Sequence, residues 1–228
     1  MPKREGNPIW YGMKLYWDQE WDYSFWYALG WHEFKFTDDR PGVILSPEED
    51  YPLNSLSVQP RDLGMEVTKE DMTALTEGFV AGLMSLPDCK IESQEESVVG
   101  SLLSFDARFT FREGDAMRKR WVRLLYRGTR QYLLTGQGAD PDEFEYWLPM
   151  FFIPIDTFVI GPRLDMPGGW PPPFYRKEEE VPLEVQTAPE ATTVESEKTT
   201  AEAGASKAEG EARKGEGKKR IGKRKKKG

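Results

Sequence analysis

The chain has 228 residues, with 31 Lys/Arg against 39 Asp/Glu, a formal net charge of −8, one cysteine and one histidine. A single cysteine excludes an intrachain disulfide and gives no support to an oxidising compartment, while a single histidine excludes a His-rich metal site and leaves only His32 for a Ser-His-Asp arrangement. No apolar run approaches the roughly 20 residues that span a bilayer, and the opening MPKREGNPIWYG lacks the apolar core of a secretory signal, so a cytoplasmic location is expected.

The segment from Trp10 to Phe36 is dense in aromatics: Trp10, Tyr11, Tyr16, Trp17, Trp21, Tyr23, Phe25, Trp26, Tyr27, Trp31, Phe34 and Phe36. Within it, Tyr23 to Tyr27 and Glu33 to Phe36 combine β-favouring residues with partial alternation, which predicts two short strands joined by a turn at Gly30. Asp38-Asp39-Arg40-Pro41-Gly42 is a turn by composition, followed by predicted strands at Val43–Leu45 and Leu56–Val58. Thr68-Lys69-Glu70-Asp71 then opens a helix, and Met72, Leu75, Phe79, Leu83 and Leu86 recur at spacings of three and four as one apolar stripe that ends near Pro87.

Four further strands are predicted at Ile91–Val99, Leu102–Phe111, Arg120–Tyr126 and Gln131–Thr135, each separated from the next by Gly or charged turn residues. In the second of them Leu103, Phe105, Ala107, Phe109 and Phe111 alternate with Ser104, Asp106, Arg108 and Thr110, the pattern of a strand with one wet face. Asp140-Pro141-Asp142-Glu143 supplies an N-cap, a first-turn proline and two acids for a second helix through Phe144, Trp147, Leu148 and Phe151. The expected fold class is α+β, an antiparallel sheet packed by two main helices.

Three consecutive prolines at Pro171–Pro173 force extended geometry and mark the edge of the folded part. From Arg176 to Gly228 there is no Phe, Trp or Tyr, and such a segment cannot bury enough area to offset a backbone entropy of roughly 1–2 kcal/mol per residue. The predicted organisation is a folded domain over residues 1–175, an acidic low-complexity linker over 176–212 and a basic disordered tip over 213–228. The tip carries ten Lys/Arg against one acid, whereas residues 1–177 carry 19 against 28.

The order of these segments resembles the PsbP/DcrB-like family. The resemblance rests on DYSFWYALGW from Asp22, the helix from Thr68, EESVVG from Glu95, the Trp121 to Thr135 strands and the DEFEYWLPMFFIPIDTFVI end from Asp142. It covers about 140 residues and implies an α/β/α sandwich of a kind used chiefly for binding, assembly or chaperoning. Photosystem attachment and the binding of a nuclear small GTPase are among the roles it implies for the family.

Candidate chemistry is sparse. Asp18/Glu20/Asp22 and Asp140/Asp142/Glu143/Glu145 lack the Gly and terminal Glu spacing of a calcium loop and are expected to be surface or helix-cap acids. Gly128 and the Gly136-x-Gly138 pair lack a following Gly-Lys-Ser/Thr and are expected at turns. No catalytic residue, cofactor or metal is expected. Arg118, Lys119, Arg120, Arg123, Arg127 and Arg130 concentrate positive charge on what is expected to be one hairpin, alternating between its faces and pairing with nearby acids. The N-terminal aromatics exceed what one core readily hides, so Trp17 and Trp21, with Arg118, Arg120 and Arg123, are candidate protein-binding residues. Lys218, Lys219, Arg220, Lys223, Arg224, Lys225, Lys226 and Lys227 are candidate contacts for an anionic partner. The expected function is a non-catalytic protein-binding, assembly or chaperone module with a polybasic tail; the alternative is a nucleic-acid-associated protein that binds through that tail.

Overall fold

Alternation in a single strand sets the layers. The computed structural model describes residue 4, residues 6–166 and residues 169–170, all within one compact unit, Met1–Glu179. The expected boundary after residue 175, the acidic linker and the basic tip lie outside the described residues. Strand β1 is Met13–Asp18, β2 Tyr23–Ala28, β3 His32–Phe34, β4 Val43–Ser46 and β5 Ser55–Val67; helix α1 is Met72–Met84, entered by a 3-10 turn at Lys69–Asp71. Strand β6 is Lys90–Val99, β7 Leu102–Glu113 and β8 Ala116–Gly138, followed by helix α2 at Pro141–Asp156 and β9 at Val159–Ile160. They form a three-stranded sheet, β1-β2-β9, and a six-stranded sheet, β3-β4-β5-β8-β7-β6, with antiparallel pairing throughout.

In β7 the apolar positions Leu103, Phe105, Ala107, Phe109 and Phe111 are all buried and pack under the α1 stripe of Met72, Leu75, Phe79, Leu83 and Leu86. The other face of the large sheet carries the main core. Tyr23, Phe25 and Tyr27 of β2, Val43 and Leu45 of β4, Leu56 and Val58 of β5, and Trp121, Tyr132 and Leu134 of β8 meet Phe144, Trp147, Met150, Phe151 and Ile155 of α2 there. The expected α+β class and the two helices are therefore present, one on each face of the sheet. Helix α2 begins as its sequence dictates: Asp140 Oδ1 accepts from Glu143 N at 2.8 Å, with Pro141 in the first turn.

Two expectations need correction. Tyr23–Tyr27 and Glu33–Phe36 do not form a hairpin: β2 pairs with β1 and β9, while β3 pairs with β4 in the other sheet. Gly30, at φ +93°, turns the chain from one sheet to the other. The local signal for a turn was right, but the choice of partner is made by packing, because β2 buries its aromatics on α2.

Arg120–Tyr126 and Gln131–Thr135 form the expected hairpin, as the two arms of β8: Arg120 Nε reaches Gln137 across the arms, and Gln131 Nε2 donates to Tyr126 Oη at 2.9 Å. Its first half pairs with β7 and its second half with β5. Gly128, at φ +61°, stands where the chain reverses between the arms, a backbone conformation that a residue without Cβ accommodates freely. The side-chain parity flips there too. Val122, Leu124 and Tyr126 point to the α1 side, whereas beyond Gly128 it is Leu133 that does, and Tyr132 and Leu134 join the α2 core.

Gly136 and Gly138 are strand residues, not turn residues. A Cβ on Gly138 would sit 2.4 Å from Phe144 N, and one on Gly136 would sit 3.1 Å from the Phe151 ring. Their absence of side chain lets α2 lie directly on β8.

Candidate protein-binding surface

Among the described residues β1 is an edge strand, with β2 on one side only. Leading into it, Ile9, Trp10, Tyr11 and Met13 are between 48 and 71 % exposed, and Leu29 beside them is 48 % exposed. Leu29 N donates to Gly12 O at 2.8 Å and Met13 lies opposite Ala28, so the five apolar side chains share one end of the small sheet. Of the twelve aromatics from Trp10 to Phe36, only Tyr23, Phe25, Tyr27 and Trp31 are buried. The surplus exists, and it is concentrated in the approach to β1.

Trp17 and Trp21 are half-buried. Trp17 meets Trp170 edge-on with ring centres 4.7 Å apart. Trp21 packs against the main core, lies beneath the Arg130 guanidinium at 5.5 Å, donates its N–H to Asp18 Oδ1 at 3.0 Å and accepts at its carbonyl from Tyr132 Oη at 2.9 Å. The more exposed residues of this region are Ile9, Trp10 and Tyr11. Sequence reasoning did not single them out, although the aromatic count was their signal; which members of such a run are left outside depends on where β1 ends.

The arginines lie on one strand and alternate between its faces. Arg118 Nε is 3.1 Å from Glu113, and an Nη1 donor reaches Ala139 O. Lys119 bridges Glu92 and Glu145 at 2.6 Å each. Arg120 Nε donates to Gln137, its Nη2 stands 3.4 Å from Glu113, and its plane covers Phe111 at 4.4 Å. Arg123 pairs with Asp106 at 2.7 Å and donates to Ile155 O at 3.1 Å. These cations tie β8 to β7 and α2, and the structure does not gather them with Trp17 and Trp21 into one patch.

Of the acids, Asp18 Oδ1 accepts from Glu20 N and Trp21 N. Glu143 is buried, with Arg4 Nε 2.9 Å from one oxygen and Asn54 Nδ2 and Trp147 Nε1 each 3.2 Å from the other. His32 lies 3.9 Å from Glu49 on the surface. Among the described residues no group of three His, Cys, Asp or Glu is placed to hold a metal ion. Cys89 is half-buried, and burial pushes its thiol up, away from the reactive thiolate. No described helix is long and apolar enough to cross a membrane. Lys218 to Lys227 lie outside the described residues.

No family model and no curated protein matches the chain. Solved structures do. The chain is similar to cyanobacterial PsbP from Synechocystis sp. PCC 6803, at 14 % identity over 68 % of this chain and 98 % of that one, with a TM-score of 0.48. It is similar to LpqN of Mycobacterium tuberculosis, involved in cell envelope biogenesis, at 11 % identity over 68 and 90 % and a TM-score of 0.45. It is also similar to the Ran-binding protein Mog1p of Saccharomyces cerevisiae, at 8 % identity over 65 and 95 % and a TM-score of 0.43. The PsbP-like resemblance read from the sequence is thus met by a solved PsbP; at these scores the likenesses carry nothing about partner or reaction.

Proposed function

We propose that the chain is a non-catalytic protein-binding or assembly module whose docking surface is the β1 edge and the apolar approach to it. The observation that supports this reading is the exposed run Ile9, Trp10, Tyr11 and Met13 with Leu29, beside a strand whose outer edge is paired by no other strand among the described residues. Exposed apolar side chains gain by burial against a partner, and an unpaired strand edge offers main-chain donors and acceptors to an added strand. Affinity capture with the full chain is expected to retain a defined protein that a Trp10→Ser/Tyr11→Ser variant releases. Equal retention by both, or background alone, contradicts the reading.

The basic tip gives the module a second contact, for an anionic partner. It carries ten Lys/Arg against one acid and no Asn, Gln or aromatic residue, so binding through Lys218, Lys219, Arg220 and Lys223 to Lys227 is dominated by charge, sequence-independent and driven by counterion release. With about half of the charges engaged, log K falls with log salt at a slope of roughly −4 to −5. A deletion of 213–228 abolishes such binding. Salt-insensitive binding, or binding kept by the deletion, overturns the proposal.

A further inference from the structure

Helix α1 covers its sheet face incompletely. Only Leu83 of its residues is buried, and its two glycines, Gly78 and Gly82, stand one turn apart on the side that looks across the sheet. A Cβ built on either meets nothing within 4 Å. Beneath that gap lies a cavity of about 330 Å³, walled by Phe79 and Leu83 of α1 and floored by Val122, Leu124 and Leu133 of β8. Its volume is at the lower end of the range for small-ligand sites, about 300–1,000 Å³.

The lining is mostly apolar, its polar side chains being Thr135, Gln131 and, as the one charged group, Arg120. Charge there is unbalanced, because the single carboxylate of Glu113 faces both Arg118 at 3.1 Å and Arg120 at 3.4 Å. Arg120 spends Nε on Gln137 and holds Glu113 only at Nη2; its Nη1 group has no partner among the described residues. Burial lowers the proton affinity of its guanidinium most, Glu113 opposes that, and Arg118 beside it adds like charge. An anion arriving at Arg120 meets a surplus cation fixed in place by the Phe111 ring below it.

We propose that this groove is a binding site for a small amphipathic carboxylate, an unbranched apolar chain lying between Gly78, Gly82 and the β8 floor with its carboxylate on Arg120. The chain fills space that the two glycines leave, and the head takes the guanidinium edge that Glu113 and Gln137 leave. The site is on the α1 face of the large sheet, separate from the β1 edge, and does not depend on the protein-binding reading.

The test uses the full chain and decanoate below its micelle-forming concentration, followed by calorimetry, with decanol as the uncharged probe. Saturable one-site binding of decanoate is expected. Arg120→Gln weakens decanoate roughly tenfold while leaving decanol within about twofold, since removal of one charged hydrogen bond acts on the head alone. Gly82→Leu, which fills open space on a helix and leaves the melting temperature unlowered, weakens both probes at least about tenfold, as a blocked cavity must. A parallel Gln19→Ala chain, altered at an exposed residue away from the groove, keeps wild-type affinity. Absence of saturable decanoate binding overturns the proposal, as does a Gly82→Leu protein that binds decanoate as well as wild type. Equal weakening of decanoate and decanol by Arg120→Gln overturns the assignment of the head to Arg120.

Discussion

The two helices of this protein sit on opposite faces of one sheet and are held very differently. Helix α2 buries Glu143, Phe144, Trp147, Met150, Phe151, Pro154 and Ile155 of its sixteen residues, while α1 buries one of thirteen. Glycines mark both, with opposite effect. Under α2 they lie in the strand, where Gly136 and Gly138 let the helix come close; in α1 they lie in the helix itself, where Gly78 and Gly82 leave a gap. The same residue type is thus a means of contact in one place and of vacancy in the other. Helix α2 is the structural face and α1 a lightly held cover.

That contrast is sharpest in aromatic truncation. Phe151→Ala, at a ring fully buried between Trp31, Phe144 and Gly136, should cost about 3–5 kcal/mol, and Phe79→Ala in α1, half-buried over Phe105, about 1–2 kcal/mol. Urea denaturation of the two variants measures both, and equal losses would break the comparison.

The next effect tests the polar anchor of α2. Asn54 Oδ1 accepts from Ala139 N at 2.8 Å, and its Nδ2 donates to Glu48 at 2.7 Å and to buried Glu143 at 3.2 Å. Asn54→Ala strands at least one of these groups and should cost about 1–3 kcal/mol by the same denaturation measurement. Asp140→Ala, which removes the 2.8 Å N-cap bond, should cost about 1 kcal/mol.

How much of this contrast could be read from the sequence differs by element. The β7 alternation and the α2 start were legible, because each is a local pattern: period two with buried apolar positions, and an N-cap Asp followed by Pro. The reversal at Gly128 was legible too, since a glycine between two apolar runs marks a tight turn, and the arms meet through Arg120 with Gln137 and Tyr126 with Gln131. The pairing of β2 with β1 was hidden, since a turn signal at Gly30 says that the chain bends but not toward which sheet. The aromatic surplus was legible as a count. Its location at Ile9, Trp10 and Tyr11 required knowing that β1 is an edge.

Two smaller effects sharpen the comparison further. Gly82→Ala should stabilise the protein by about 0.5–1 kcal/mol, because the helix gains propensity and the new methyl meets nothing within 4 Å. A thermal melt checks the sign, and a loss would show that α1 is held more tightly than its burial implies. The smallest effect lies past β9, where hydrogen bonds from Arg163, and then its charge, hold the Asp165 carboxyl below the usual carboxylate range. A depressed folded-state value contributes stability that is whole above the unfolded carboxylate range and is lost as pH falls through the folded value. Asp165→Asn should therefore flatten the acid limb of a melting-temperature profile taken from about pH 7 to pH 3, slightly, because the carboxylate is exposed and screened.

Native-state hydrogen exchange on the full chain tests the two-helix account most directly. Helix α1, with one buried residue, should open locally, so that amides from Leu75 to Met84 exchange through a lower free energy than those from Phe144 to Ile155, which should open only with the whole core. Protection of α1 as strong as that of α2 would contradict the account.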